Sequence, residues 1–145
     1  MDTQMRELGY QECRALLGQG VVGRVAVMTP NGPHIVPVNY WAVRESIIVR
    51  TTAYSVLGRY GHDSVLAFEV DSLDPSDASG WSILARGRAE MVTDPDDLSD
   101  LRREITTEPW APGVRSMYLR LEYTELSGRR LSTQLQATGR PDGQG

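Results

Sequence analysis

Apolar residues alternate with polar or small residues along much of the chain, and this period of two is typical of half-buried β-strands. Turn signals separate the alternating segments, such as residues 29–32, where Pro30 and Gly32 hold the second and fourth positions. The predicted strands are residues 21–28, 34–41, 47–52, 64–70, 80–93 and 117–123. The polar pair Arg44 and Glu45 predicts a hairpin. The pattern as a whole predicts a mainly β fold, a small closed barrel of about six strands.

Capping residues predict where the helices begin. Gly9 precedes a short helix in which Glu12, at the third helical position, reaches back to the cap amide. Asp94 and Pro95 form a second helix start, because an Asp side chain caps the first turn and Pro needs no hydrogen-bond partner at the first helical position. A third short helix is expected to begin near Ser55.

Two residues mark irregular points in the predicted strands. Pro37 has no N–H, so its strand must lie at a sheet edge, contain a bulge or leave the ladder at this point. Gly87 lies within the longest predicted strand and is the expected bend. An opening beside Pro37 would turn backbone donors and acceptors toward a planar ligand.

Composition limits the classes of function. The 145 residues, 40% of them hydrophobic, predict one domain with a substantial core, expected over residues 1–133. Residues 134–145 are rich in Gly and polar residues and predict a disordered tail. A net charge of -4 without a sustained basic block argues against nucleic-acid binding. With no leader pattern and no apolar stretch long enough to span a membrane, we expect a cytoplasmic protein and no membrane partner.

Metal and thiol chemistry have little support in the sequence. Cys13 is the only cysteine, so neither an internal disulfide nor a thiolate metal cluster is available, and it fits the apolar face of the first helix. His34 and His62 lack metal-ligand spacing. Asp71 and Asp74 belong to an Asp- and Ser-rich stretch that we interpret as a solvated loop. No metal site is predicted.

The candidate binding chemistry lies at the end of the third predicted strand. Arg50 supplies a rigid fork of charged donors. Thr51, Thr52 and Ser55 add hydroxyl groups close to a helix start, which carries free amides and a partial positive charge. Such a cluster favours a phosphate. The alternative interpretation is an ordinary strand end, with a solvated arginine and a threonine that caps the next turn.

Four motifs occur in one order along the chain. They are Pro-Val-Asn-Tyr at 37–40, Val-Arg-Thr at 49–51, Ala-Phe-Glu-Val-Asp at 67–71 and Gly-Trp-Ser-Ile at 80–83. Over residues 7–131 the sequence resembles the pyridoxamine 5'-phosphate oxidase-like FMN-binding split barrels. The features similar to the nitroimidazole-resistance branch are Glu12-Cys13, Gly23-Arg24, Trp110, Arg115 and Gly-Arg-Arg at 128–130.

The resemblance implies a six-stranded antiparallel split β-barrel with short flanking helices, which binds FMN in a homodimer with its sites at the interface. It implies a flavin-dependent oxidoreductase acting on a small molecule, with no catalytic residue identified. The residues implied around the cofactor are Pro37, Val38, Asn39, Tyr40, Arg50, Thr51, Thr52, Ser55, Val56, Trp81, Ser82, Trp110 and Arg115. Trp81 with Ser82 is expected to line the flavin, and Trp110 with Arg115 to approach it from the second subunit.

One position departs from the branch, which commonly has Gly-Ser-Lys at the helix start, where the lysine serves the flavin phosphate. This chain has Tyr54, Ser55 and Val56. A charged hydrogen bond contributes ~1.5–3 kcal/mol, so its loss would weaken phosphate binding by about one to two decades. Arg59, one helical turn further on, is a candidate substitute.

The departure at Val56 favours an alternative function. The chain would then be a binding module that holds flavin, deazaflavin, haem or another planar ligand without turnover, or a dimeric scaffold without a cofactor. Pyridoxamine phosphate oxidation itself is disfavoured, because the resemblance implies a set of substrate-phosphate residues near the C-terminus that Arg129 and Arg130 only partly match.

Overall fold

The computed structural model describes residues 2–110 and 113–134, which form eight strands and three helices. The strands are β1 Asp2–Glu7, β2 Val22–Thr29, β3 Gly32–Asn39, β4 Trp41–Val43, β5 Ser46–Thr51, β6 Ser64–Asp74, β7 Ser79–Met91 and β8 Met117–Gln134. The helices are α1 Tyr10–Leu17, α2 Val56–Tyr60 and α3 Pro95–Glu104. None of the helices in this part of the chain is long and apolar enough to cross a membrane.

All strands belong to one antiparallel sheet that curls into a half-barrel. The order is β3-β2-β6-β7-β8-β5-β4, and β1 pairs with the end of β8. Strand β8 is the longest strand, and its 18 residues pair with three other strands, β5, β7 and β1. The sheet curls so that its edge strand β3 comes into contact with β5, the strand before the opposite edge, without forming a ladder. This unpaired approach leaves the cleft described below.

The concave face of the sheet carries the main core. Phe68, Ile83 and Ile47 have at most 1% of their surface exposed, and Leu17 of α1 closes this core from one end. A second, smaller core lies on the other face of β5, where Ile48 packs in a cluster with Leu101 of α3 and with Tyr118. The second core fixes α3, and with it the start of the segment that follows α3.

The predicted helix starts are confirmed. The Gly9 N–H donates to Glu12 Oε1 at 3.2 Å, and the Asp97 N–H donates to Asp94 Oδ2 at 3.0 Å, with Pro95 at the first helical position. Both contacts satisfy amides that an isolated helix leaves without partners.

The predicted count of six strands differs from the eight found. The continuous strand expected over residues 34–41 is divided at Tyr40, whose N–H donates to Val21 O at 3.1 Å, so that β3 stays with β2 while β4 pairs with β5. Strand β1 was not predicted, because the exposed and mostly polar residues 3–7 lack an apolar alternation. The mainly β, antiparallel character is as expected.

The two irregular points behave as expected. Pro37 lies in β3, which pairs with β2 alone and is therefore an edge strand. The register between β7 and β8 shifts between Arg86 and Gly87, where a Cβ on Gly87 would come within 1.9 Å of Glu122 O. At the C-terminal end, the backbone of Gln134, the first residue of the predicted tail, pairs with Asp2. Residues 135–145 lie outside the described part of the chain.

Candidate functional site

A cleft of about 430 Å³ opens where β3 and β5 face each other without pairing. Its walls come from β2 and β3, from β5, from α2 and from the segment after α3. The lining residues are Val22, Val36, Pro37, Val38, Asn39, Val49, Arg50, Thr51, Ser55, Leu57, Pro109, Trp110 and Arg115. A volume of this size is typical of small-ligand sites, which are mostly apolar with a few placed polar groups.

Strand β3 presents backbone groups on its free edge. The N–H of Tyr40 donates to Val21 O on the β2 side, and hydrogen-bonding directions alternate along an antiparallel strand. The backbone groups of Pro37 and Asn39 therefore point away from β2. Pro37 contributes only a carbonyl, whereas Asn39 contributes both a donor and an acceptor. Polar backbone groups on this edge are available to a bound molecule.

Arg50 is the most enclosed charged group of the cleft. Its side chain is 17% exposed, and its guanidinium lies 5.2 Å from the centre of the Tyr118 ring, a cation–π contact. Nη2 donates to Arg115 O at 3.2 Å, and Nη1 is 3.6 Å from Glu108 Oε2. The buried Nε has no hydrogen-bond partner. The stacked ring and the carbonyl hold the guanidinium in one orientation.

Arg115, like Arg50, has a buried N–H donor without a partner. Its Nε is also buried and has no hydrogen-bond partner. Within residues 2–110 and 113–134, the buried side-chain nitrogen and oxygen atoms without a hydrogen-bond partner are these two Nε atoms. A buried polar group without a partner costs free energy, about 1–3 kcal/mol and more when it is charged. Two unpaired guanidinium donors in the lining of one cleft are therefore suited to an anionic acceptor.

Two hydroxyl groups of the predicted cluster, those of Thr51 and Ser55, are already paired. Ser55 Oγ lies 2.9 Å from Thr52 O, accepts the Gly58 N–H at 3.0 Å and is 2.5 Å from Thr51 Oγ1. A hydroxyl has one hydrogen and two lone pairs, so these three partners saturate Ser55. The hydroxyls of Thr51 and Ser55 thus tie β5 to α2, with Ser55 rather than the expected threonine as the cap, and the guanidinium groups of Arg50 and Arg115 are the cleft donors with an unpaired N–H.

Tyr40 contributes to the core rather than to the cleft. Its side chain is 3% exposed, its ring lies 4.7 Å from that of Phe68, and its hydroxyl donates to Leu17 O at 2.5 Å. Burial raises the pKa of this hydroxyl to about 12. The Tyr40 side chain is therefore structural, and the residues of β3 that line the cleft are Val36, Pro37, Val38 and Asn39.

The position of the missing lysine does not line the cleft either. Val56 is half-buried and packs against the main core. Thr52 is also absent from the cleft lining, and its carbonyl accepts hydrogen bonds from Ser55. Arg59 is exposed, with its guanidinium 5.4 Å from the centre of the Tyr60 ring. Arg59 does not line the cleft, whereas Arg115 lines it together with Arg50.

Trp110 and Arg115 lie at the cleft of their own subunit, whereas the sequence led us to expect them from a partner. The Trp110 N–H donates to Asn39 Oδ1 at 2.7 Å, while its side chain is among the most exposed apolar ones. Trp81 and Ser82 do not line this cleft: Trp81 packs against the main core, and Ser82 borders a separate depression beside β8.

A carboxyl pair on the outer face of the sheet was not predicted. Arg24 Nη1 lies 2.7 Å from Glu69 Oε1 and 3.7 Å from Asp71 Oδ2. Burial, followed by the hydrogen bond and the negative charge of Asp71, raises the pKa of Glu69 to about 7, against the effect of Arg24. Strand alternation puts Glu69 and Asp71 on one face, but only the register with β2 adds Arg24. No group of three metal-ligating side chains occurs among the described residues.

A family profile, a protein of similar sequence and solved structures were compared with this chain, and their matches agree. A profile of the family described as pyridoxamine 5'-phosphate oxidase matches residues 10–130. The uncharacterized protein Rv0080 of Mycobacterium tuberculosis is 32% identical over 130 residues, which cover 86% of this chain and 84% of that protein. The structure of the FAD-binding protein of Mycobacterium smegmatis has a TM-score of 0.68 at 25% identity and covers 88% of this chain and 98% of its own. A proposed pyridoxamine 5'-phosphate oxidase of Corynebacterium glutamicum has a TM-score of 0.75 at 28% identity, over 92% and 98%.

Proposed function

The chain belongs to the pyridoxamine 5'-phosphate oxidase family, and from this premise we propose that it binds a flavin nucleotide in the cleft between β3 and β5 and is a flavin-dependent oxidoreductase of small molecules. The observation that carries the proposal is the pair of buried, unpaired Nε atoms of Arg50 and Arg115. A flavin phosphate offers the acceptors that these two donors lack, and arginine forks suit phosphate geometry.

The remainder of the cleft suits the ring of a flavin. Val36, Val38 and Leu57 provide an apolar wall, and the free edge of β3 provides backbone donors and acceptors at Asn39. A bound flavin supplies the redox chemistry, and the chain binds it, orients it and excludes water from it. The exposed Trp110 at the rim is placed to cover one face of the ring. A scaffold without a cofactor would have no use for two unpaired buried guanidinium donors.

FMN is the flavin that we propose. A cleft of about 430 Å³ that ends at two guanidinium groups matches a single ring system with one phosphate end. FAD would place its adenosine half outside this cleft, in solvent. Because the Mycobacterium smegmatis relative at 25% identity is an FAD-binding protein, the two nucleotides are to be compared directly.

We also propose that the working unit is a homodimer. Four large apolar side chains are exposed on the outer face of β3, β2, β6 and β7: Met28, Ile35, Val65 and Leu84. Exposed apolar side chains on one sheet face, here beside the Arg24–Glu69 ion pair, support an association surface. Ser82 lies on the same face, two residues from Leu84, so that Ser82 reaches a cleft only across such an interface, whereas Trp81 points to the opposite face and packs against the main core.

The oligomer is tested by light scattering at micromolar concentration. We expect the mass of a dimer for the wild type, and a monomer for the double variant Ile35→Glu with Leu84→Glu, because each carboxylate would be desolvated in the interface. A monomeric wild type with flavin bound would contradict the shared site while leaving the flavin proposal intact.

Within the family, we propose that the chain belongs to the nitroimidazole-resistance branch. It rests on Glu12-Cys13, Trp110 and the Gly-Arg-Arg stretch at 128–130. Reduction of a 5-nitroimidazole by the flavin-loaded protein and a chemical reductant would support this placement. A flavin-loaded protein that reduces other acceptors but no nitroimidazole would contradict it.

The flavin proposal is tested on the purified chain. The visible spectrum and mass spectrometry of any released ligand identify what co-purifies, and fluorescence titrations with FMN, FAD and riboflavin measure the affinities. We expect FMN to bind more tightly than riboflavin, which has the ring without the phosphate. Failure of all three flavins to bind at millimolar protein would refute the proposal.

A further inference from the structure

A carboxylate already lies at the guanidinium that we assign to the ligand phosphate. Glu108 Oε2 is 3.6 Å from Arg50 Nη1, and Glu108 belongs to the segment after α3, next to the cleft-lining Pro109 and Trp110. The two ends of the pair differ in environment: 17% of the Arg50 side chain is exposed, against 86% for Glu108. The guanidinium is held in place, whereas its carboxylate partner extends into solvent.

A contact of this kind is weak. An exposed carboxylate at this distance contributes about 0–1 kcal/mol to its ion pair. Two carboxylate oxygens also resemble two oxygens of a phosphate in charge and spacing. A phosphate that approaches the unpaired Nε of Arg50 must therefore either displace the Glu108 carboxylate or bind beside it, against like-charge repulsion.

We infer that Glu108 is a built-in competitor for the anionic end of the ligand at Arg50, and that it sets how strongly the cleft prefers a phosphorylated flavin over an uncharged one. The inference rests on the proposed flavin function, because the same cleft and the same guanidinium are used. Glu108 is not among the residues that line the cleft itself, so its effect is expected at the charged end of the ligand.

The test compares Glu108→Gln with the wild type. Removal of the carboxylate charge should tighten FMN binding about threefold to fivefold, the range that an exposed ion pair allows, and leave riboflavin binding unchanged. The gain should shrink as salt is added, because the repulsion acts near the surface. In an Arg50→Met background the same substitution should have a smaller effect on FMN, because the competition at Arg50 is gone and only the repulsion between the carboxylate and the phosphate remains.

Glu104→Gln is the matched control. Glu104 is an exposed carboxylate at the end of α3, 3.5 Å from Arg44 Nη2, and neither residue lines the cleft. The substitution makes the same change of charge at a similar ion pair, so it should leave both flavin affinities at the wild-type value. An equal gain in the two variants would show a general charge effect and overturn the inference.

A second measurement separates this inference from the flavin proposal. Inorganic pyrophosphate should raise the thermal stability of Glu108→Gln more than that of the wild type or of Glu104→Gln. If no flavin binds but this difference is present, the flavin proposal fails and the competitor role of Glu108 stands. If FMN binds and Glu108→Gln changes neither the FMN affinity nor the pyrophosphate response, the competitor role is refuted and the flavin proposal stands.

Discussion

Substitution of Arg50 by methionine is the sharpest test of the binding mode. Methionine keeps an unbranched, polarisable side chain against Tyr118, and it removes the charge, the unpaired Nε and the bond to Arg115 O. Hydrogen bonds to charged groups contribute ~1.5–3 kcal/mol, so FMN binding should weaken by about 10-fold to 150-fold. Arg50→Lys should lie between the wild type and Arg50→Met, since it keeps the charge without the fork.

The assay is quenching of flavin fluorescence, run in parallel with FMN and riboflavin. Riboflavin affinity should be the same for Arg50→Met and the wild type, because the ring sites on β3 are untouched. Thermal unfolding without ligand is the control for folding, and we expect a partial loss of stability, because the variant removes the bond to Arg115 O and the cation–π contact with Tyr118 together with a buried donor that has no partner. Equal FMN affinity in a folded Arg50→Met variant, or equal weakening of FMN and riboflavin, would refute the phosphate assignment.

Two further predictions concern the stability of the sheet. The pKa of Glu69 is raised from 4.5 to about 7, so the folded state holds a proton that the unfolded state has lost, and the unfolding free energy should fall as the pH rises through this window. Solvent screening limits the change to about 1 kcal/mol, and denaturation at a series of pH values should find it absent in Glu69→Gln. Gly87→Ala should destabilise by more than about 2 kcal/mol in denaturant unfolding, because its Cβ would meet a backbone carbonyl at 1.9 Å. Gly18→Ala, with 3.6 Å to the nearest atom, should change stability by less than about 1 kcal/mol; equal effects in the two glycine variants would contradict the steric argument.

Features encoded by neighbouring residues were predictable from the sequence. The helix starts at Gly9 and Asp94 depend on side chains within three positions, and the edge position of Pro37 follows from a missing N–H. The division of one predicted strand into β3 and β4 was not predictable, because strand-forming residues lie on both sides of Tyr40, at Val38 and Trp41, with no Pro or Gly between them. That break depends on the Tyr40 side chain reaching α1, a contact between residues 23 positions apart.

The residues of the candidate site also divide into those that local sequence identifies and those that depend on contacts between distant residues. Arg50 was identified from its residue type, but the saturation of Ser55 depends on three partners whose geometry the sequence does not contain. Arg115 and Trp110 were identified by resemblance, yet their place in the cleft of their own subunit follows from how α3 packs on the second core. Glu108 was missed because it is a common residue in a polar segment, recognisable only by its distance from Arg50.

The contacts in the cleft change how the absence of a lysine at position 56 is interpreted. A lysine at the helix start would contribute ~1.5–3 kcal/mol to phosphate binding, and its absence alone favours a chain without a cofactor. The cleft, however, contains two guanidinium groups with unpaired donors, each able to make a charged hydrogen bond of that size. Val56 packs against the main core, where a lysine amine would have to be desolvated or turned back to solvent. In this chain the anionic end of a ligand is therefore better served by Arg50 and Arg115, and the missing lysine does not by itself argue for loss of flavin binding.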